Sequence, residues 1–323
     1  MDFRAAAQKA KSLAQGIEYR TFSTSVEISE ETGREFEESL RRDGFSGKLH
    51  PKTLANRALR GEIERETGKV QDKDGDVRFT VDAATGDVSV SINPLFLLCK
   101  YRKLDRLTSQ TRWEKYESSV EGYIVRVAEE ICGCTNAFLH GAGREDVDVR
   151  MLGGGRLCVV EIEAPRTRKI NLQEFGERVR EVSGGKVELD VLREVPRQYV
   201  WIVKEGGFDK EYDAEVEFAE SIGDEGIRKI EKISQVMQET PKRVMHRRAD
   251  KVRERQIRSV VCTWHEGRRA KFIIRTEAGT YIKELISGDG GRTVPSFASV
   301  AGCAAKCTAL DVINVHEHIS DWW

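Results

Sequence analysis

Read for apolar spacing alone, the chain passes from helical to strand periods and back several times. "MDFRAAAQKAKSLAQG" reads as a short amphipathic helix closed by Gly16. A short strand is predicted near "EYRTFSTSVEI", helices run through "EETGREFEESLRRDG" and "KTLANRALRGEIERETG", and a hairpin follows in "VRFTVDAATGDVSVSI". In that hairpin Val77, Phe79 and Val81 answer Val88, Val90 and Ile92 across a turn containing Thr85, Gly86 and Asp87. A helix through "WEKYESSVEGYIVRVAEEICG" comes next, and then 146–151 and 156–163 read as an antiparallel pair joined through the glycines between them. Later strands are predicted in "RQYVWIV", "EYDAEVEF", "IRSVVCTWHEG", "RAKFIIRTE" and "CTALDVINVHEH". Hairpins with inserted helices predict an α+β fold with a large, mainly antiparallel mixed sheet rather than a doubly wound one. Pro94 and the basic "KYRKLDR" mark a boundary, which divides the chain into a smaller α/β module over 1–105 and a larger domain over 106–323.

Composition narrows the setting. The 323 residues suffice for two domains, and 39% hydrophobic with 33% charged residues fits a soluble globular protein. No apolar run reaches the roughly 20 residues that span a bilayer, and the N-terminal stretch lacks the apolar core of a signal peptide, so a cytoplasmic location is expected. Cys99, Cys132, Cys134, Cys158, Cys262, Cys303 and Cys307 are odd in number and scattered, which argues against a disulfide framework. Zinc held by Cys132, Cys134, Cys303 and Cys307 would need C-x-C and C-x3-C spacings, which lack the paired C-x2-C of most structural sites; buried thiols without metal are expected. With no coiled-coil pattern, a monomer is expected.

A net charge of −1 conceals strong segregation. "KEGGFDKEYDAEVEFAESIGDEG" at 204–226 is acidic, whereas "PKRVMHRRADKVRERQIR" at 241–258 is basic, with Lys242, Arg243, Arg247, Arg248, Lys251, Arg253, Arg255 and Arg258 beside His246. Composition alone favours a solvated helix face for the basic run; an arginine-rich surface that tracks phosphates is the functional alternative. In "GREDVDVRMLGGGR" at 143–156, a strand over 146–151 would point Val147, Val149 and Met151 inward and Asp146, Asp148 and Arg150 outward. The glycines there lack the spacing of a dinucleotide loop or a P-loop and read as a hairpin turn.

That same stretch resembles the motif around the catalytic aspartate of pseudouridine synthases, most closely in the Pus-ten family of archaea and eukaryotes. "INPLFLLCKYRKLDRLTSQTRW", "KYESSVEGYI", "VVEIEAPRTR", "RVMHRRADKVRERQI" and "RTEAGTYIKELISGDGGRTVPS" are also similar to that family and stand in its order. The resemblance is close over about the last two thirds of the chain and loose over the first hundred residues. It implies a pseudouridine synthase fold with a THUMP-like accessory RNA-binding region, and it implies roles. Asp146 matches the catalytic aspartate, with Asp148 as its rival; Tyr212 matches the active-site tyrosine, and Lys283 the basic residue that pairs with the aspartate. Leu285 and Ile286 match apolar residues that wall the base pocket. Arg144, His246, Arg247 and Arg248 would contact the RNA beside the flipped base, and Lys100, Arg102, Lys103, Arg106 and Arg112 form a second candidate surface.

The chemistry needs such a set. Forming pseudouridine breaks the N1–C1′ bond, turns the uracil and rejoins it through C5 with no external atom gained or lost, so neither a metal nor an organic cofactor is required. A carboxylate can add to the base or the sugar, or take the C2′ proton. Burial would push Asp146 toward neutrality, and a nearby Lys283 would keep it ionised. Tyr212 would stack on the extruded uracil, and its hydroxyl would assist removal of the C5 proton. The family implies tRNA as substrate and uridines 54 and 55 of the TΨC arm as targets. Family members usually begin with a zinc-binding segment of two C-x-x-C pairs, whereas this sequence has no cysteine before Cys99, a departure that bears on tRNA affinity and on the choice of uridine. The alternative reading is a non-catalytic RNA-binding protein that keeps the fold. An RNA methyltransferase would need a glycine-rich cofactor loop after a strand, and none is found. A hydrolase would need its two carboxylates to flank the scissile bond, whereas Asp146 and Asp148 on one strand face would lie about 7 Å apart side by side.

Overall fold

The computed structural model describes residues 2–42, 50–246 and 248–317. The chain divides into two compact units: 2–95 with 128–137 and 161–171, and 96–127 with 138–160 and 172 onward.

In the first unit α1 (Phe3–Leu13) starts where the Asp2 carboxylate accepts from the Ala5 N–H at 3.0 Å. Then come β1 (Thr21–Glu27), α2 (Glu30–Arg42), α3 (Pro51–Thr67), β2 (Val70–Gln71), β3 (Val77–Asp82) and β4 (Val88–Ile92). Strand β1 lies between β2 and β3, parallel to both, and β3 turns back into β4. Val77 faces Ile92, Phe79 faces Val90 and Val81 faces Val88, the register the alternation predicts. Phe22, Val26, Phe79, Leu59 and Ile63 are wholly buried between this sheet and the helices.

Larger in scale, the second unit is built on β5 (Leu95–Lys103), α4 (Val120–Cys132), β6 (Asn136–Gly141), β7 (Arg150–Glu163), α5 (Leu172–Val182), β8 (Val187–Glu194) and α6 (Gln198–Glu205). After these come β9 (Asp209–Phe218), α7 (Asp224–Glu231), β10 (Gln235–Glu239), β11 (Val252–Glu266), β12 (Arg269–Thr276), α8 (Ile282–Ser287), β13 (Thr293–Val294), α9 (Phe297–Ala301) and β14 (Ala305–His316). The sheet order is β13–β10–β11–β12–β9–β14–β7–β5–β8, with β6 paired to β7. Antiparallel pairing runs from β13 to β14, and β7 joins β14 in parallel. The architecture is therefore α+β with a large, mainly antiparallel mixed sheet. Residues 96–103, which a division at 105/106 gives to the N-terminal module, pair within this sheet: β5 runs antiparallel to β8 and its apolar centre is buried.

Several elements differ from the sequence expectations. "RQYVWIV" lies in α6, not in a strand; an apolar run of seven carries no decisive period, and here only Val203 is buried while Trp201 is 69% exposed. The basic run is not a helix face, because it forms a short 3-10 turn over Lys242–Val244 and then enters β11. The predicted helix from Trp113 begins only at Val120.

The glycines at 153–155 make no hairpin turn. They lie inside the single strand β7, and residues 146–149 are loop and turn rather than strand. Gly153 has φ +57°, and a Cβ on it would sit 1.9 Å from the Ile313 carbonyl oxygen of β14. Gly155 has φ +81°, with the Tyr101 carbonyl oxygen of β5 3.1 Å from where a Cβ would be. The run kinks a central strand between two close neighbours. Gly154 meets nothing within 4 Å. Gly153→Ala is therefore expected to lower stability by at least about 2 kcal/mol, and Gly154→Ala to change it by less than about 0.5 kcal/mol, as read from urea midpoints. Equal effects would show that the close approach to β14 does not govern this strand.

Candidate active site

Between β6 and β7 the chain makes no ladder, so its backbone carbonyls need other partners. Side chains supply them. Arg156 Nη1 donates to Ala142 O at 2.8 Å, Gln110 Nε2 to Gly143 O at 2.9 Å, Lys103 Nζ to Val147 O at 2.6 Å, and Arg106 Nη1 to Asp148 O at 2.8 Å. Gly143, at φ +84°, lets the loop turn against Arg156 and Lys210. Glu145 points inward, where Arg156 Nε and Nη2 each reach Oε2 at 3.0 Å and the Tyr101 hydroxyl donates at 2.9 Å. Both charged side chains are 1% exposed. With Glu145 locked inside, the next residue, Asp146, faces a cavity of about 410 Å³.

Asp146 meets two cations there. Arg243 Nη1 lies 3.0 Å from Oδ1 and 2.8 Å from Oδ2, while Arg243 Nε donates to Glu284 Oε1 at 2.7 Å. Lys283 Nζ stands 3.4 Å from Asp146 Oδ2 but 2.8 Å from both Asp148 oxygens. Arg243 is thus the nearer cation to Asp146, and Lys283 bridges the two aspartates. Burial works against the Asp146 carboxylate, but the charges of Arg243 and Lys283 and their hydrogen bonds outweigh it and hold its pKa below the ordinary value. Asp146 is ionised at neutral pH.

Strand β9 supplies Lys210 and Tyr212 to the same cavity, since residues two apart share a strand face. Burial pushes the Tyr212 phenol up to about 12, with the Arg156 charge pulling the other way, so at neutral pH it is a protonated phenol and not a phenolate base. Arg144, Lys204 and Arg248 also line the cavity and are solvent-exposed, and Arg248 Nη1 donates to the Tyr281 hydroxyl at 3.3 Å.

The fold thus brings Asp146, Tyr212, Lys283, Arg144 and Arg248 to one cavity. Other expected residues stand elsewhere. Leu285 and Ile286 do not wall it: both are wholly buried on the inner side of α8, and the apolar lining comes from Val149, Val244, Ile282, Leu310 and Val312. His246 is exposed and is not a lining residue. Arg247 lies outside the described residues. The second basic surface is committed internally: Lys100 pairs with Glu317, Arg102 with Glu188 and Asp190, Arg106 with Asp311 and Arg112 with Glu121, and Lys103 is buried beneath the loop. Sequence reasoning missed Arg243 as the partner of Asp146, although it stands in the basic run, and it missed the Glu145–Arg156 pair altogether. No local spacing signals either: Arg243 and Asp146 stand 97 residues apart, and Glu145 meets Arg156 of β7 only because the loop between them folds back on that strand.

Comparison with known proteins gives this geometry its context. The family model described as Pus10, C-terminal, matches residues 96–316. The tRNA pseudouridine synthase Pus10 of Methanothrix thermoacetophila is 37% identical over 96% of this chain and 73% of its own length. That of Pyrococcus furiosus is 37% identical over 95% of this chain and 79% of its own. The chain therefore spans about three quarters of the length of these relatives. Among solved structures, an archaeal box H/ACA sRNP Nop10–Cbf5 complex aligns with 67% of this chain and 48% of that chain at 17% identity, with a TM-score of 0.36, too low to carry an argument. The sequence relatives suffice: the chain belongs to the Pus10 family of tRNA pseudouridine synthases.

Proposed function

We propose that the cavity isomerises uridines 54 and 55 in the TΨC arm of tRNA, with Asp146 as the catalytic carboxylate. The observation that carries this reading is the ionised Asp146, paired with Arg243 and Lys283 on the wall of a cavity that also holds Tyr212. A duplex or folded arm presents neither C1′ nor C5 to a side chain, so the nucleotide must be extruded into the cavity. There Asp146 acts on the base or the sugar, the N1–C1′ bond breaks, the uracil turns, and C5 bonds to C1′. The C5 proton leaves and N1 gains one, so the balance is an isomerisation. Tyr212 stacks on the uracil as a neutral phenol, and Arg144 and Arg248 contact phosphates at the cavity mouth. Asp148 shares Lys283 with Asp146 and tunes its position.

On the same reading the first unit, with its four-stranded sheet and helices, is the THUMP-like accessory region that binds tRNA, and the protein acts as a monomer. Among the described residues no helix is long and apolar enough to cross a membrane.

The direct test is a single-turnover assay with an unmodified tRNA transcript, mapping pseudouridine by carbodiimide adduct and primer extension. Asp146→Asn is expected to lower the rate by several orders of magnitude while leaving tRNA affinity and thermal unfolding near the parent values. Product at the parent rate in that variant would move the catalytic role to Asp148.

The pH dependence follows from the ion pair. Asp146 has a lowered pKa, so its ionised form persists as pH falls through the usual carboxylate range, and the parent rate is expected to show no acid limb from this group between pH 5 and 8. In Arg243→Met burial is opposed mainly by Lys283, so the Asp146 pKa rises. Expected outcomes are a rate at neutral pH lower by about 100-fold and a further decline toward pH 5 that the parent lacks. A flat profile in the variant would show that Arg243 does not hold Asp146 ionised.

A further inference from the structure

The catalytic reading leaves one buried charge in the cavity without an assignment. Lys210 projects from β9 on the same face as Tyr212 and is 7% exposed. Its only hydrogen bond among the described residues is to the Phe208 carbonyl oxygen at 3.0 Å, and no carboxylate there lies within 4.0 Å of its Nζ. The charge that opposes it most is the guanidinium of Arg156 on β7, whose own counter-charge, Glu145, is already taken. Burial and that repulsion push Lys210 down to about 8, against the pull of Asp209, so it remains mainly an ammonium at neutral pH.

A buried lysine with no carboxylate partner is costly, and proteins seldom keep one without a use. The backbone cannot supply what is missing, since one carbonyl satisfies one of three ammonium protons. The remaining protons belong to a group whose side chain lines the cavity beside Tyr212, Gly143 and Asp146. A Cβ on Gly143 would stand 3.8 Å from Nζ, so the absence of a side chain there keeps the ammonium open to the cavity.

The reaction supplies the counter-charge. If Asp146 attacks C1′ or takes the C2′ proton, the N1–C1′ bonding pair departs with the uracil, which becomes an anion with its charge spread over N1, O2 and O4. If Asp146 adds to C6, the ring becomes an enolate with its charge on C5 and O4. Every route places negative charge on the pyrimidine before C5 bonds to C1′, and that charge disappears when the C5 proton leaves and N1 is protonated. We propose that Lys210 is a catalytic residue whose ammonium binds the uracil ring as it turns anionic, stabilising the base between its detachment from N1 and its reattachment at C5. This inference rests on the cavity being the uridine site. A fixed cation placed where charge develops acts mainly on the transition state and little on the ground-state complex.

The test uses the full chain and an unmodified tRNA transcript, with Lys210→Met, Lys210→Arg and Asp146→Asn side by side. Rate at saturating enzyme, tRNA dissociation constant and melting temperature are read for each. For Lys210→Met we expect a rate lower by about 100-fold or more, a dissociation constant within about twofold of the parent, and a melting temperature equal or higher, because an unpartnered buried charge has been removed. Lys210→Arg keeps the cation and is expected to retain most of the rate. A Lys210→Met rate within about threefold of the parent overturns the proposal. So does a loss that saturating enzyme restores, which would make Lys210 a phosphate anchor, and so does an equal loss in Lys210→Met and Lys210→Arg. If Asp146→Asn is fully active, the uridine-site reading fails first; if it is inactive while Lys210→Met is not, only the lysine assignment fails.

Discussion

The cavity depends on a carboxylate and a guanidinium that sit wholly inside the protein, Glu145 and Arg156. Buried charges of this kind add little net stability compared with a well-packed apolar pair, yet losing either partner alone costs about 3–5 kcal/mol. Their value here is directional. Glu145 is tied to Arg156 and Tyr101, and Gln110 ties Tyr101 to the Gly143 carbonyl, so the loop has one way to lie. Asp146, one residue further on, is thereby turned toward the cavity.

Lys103 and Arg106 complete the clasp from β5 and the residues after it. They bind loop carbonyls at 147 and 148, and Arg106 also reaches Leu310 O and Asp311 of β14. A segment without strand or helix is therefore fixed by side chains from β5, from the residues after it and from β7, which meets the demand that a reacting group be held within fractions of an ångström. Two of the residues that looked like a second RNA surface, Lys103 and Arg106, serve this internal purpose.

Around Asp146 the electrostatics are graded. Arg243 is held on its other side by Glu284, so its placement does not depend on Asp146. Lys283 divides itself between two aspartates, and Lys210 has no carboxylate partner among the described residues. The site carries more fixed positive charge than its own carboxylates balance, as suits a polyanionic substrate and a base that turns anionic during reaction.

Sequence alone determined what depends on neighbours along the chain. The alternation at Val77–Val81 and Val88–Ile92 specified a hairpin and its register, and the period of two in β9 placed Tyr212 on the buried face, because strand side chains alternate whatever they pack against. Motif resemblance singled out Asp146 and Lys283. Tertiary structure decided the rest. The glycines at 153–155 signal a turn by local rules, yet Gly153 is required by the Ile313 carbonyl of β14 and Gly155 by the Tyr101 carbonyl of β5, both far along the chain. The apolar run of α6 has no period strong enough to choose helix over strand. Arg243 and Asp146 stand 97 residues apart, and Lys283 and Asp148 stand 135 apart. Those pairings exist only because the loop before β7, the turn at Lys242–Val244 and α8 converge in the fold, and that proximity is set by the burial of the whole fold, not by any local spacing.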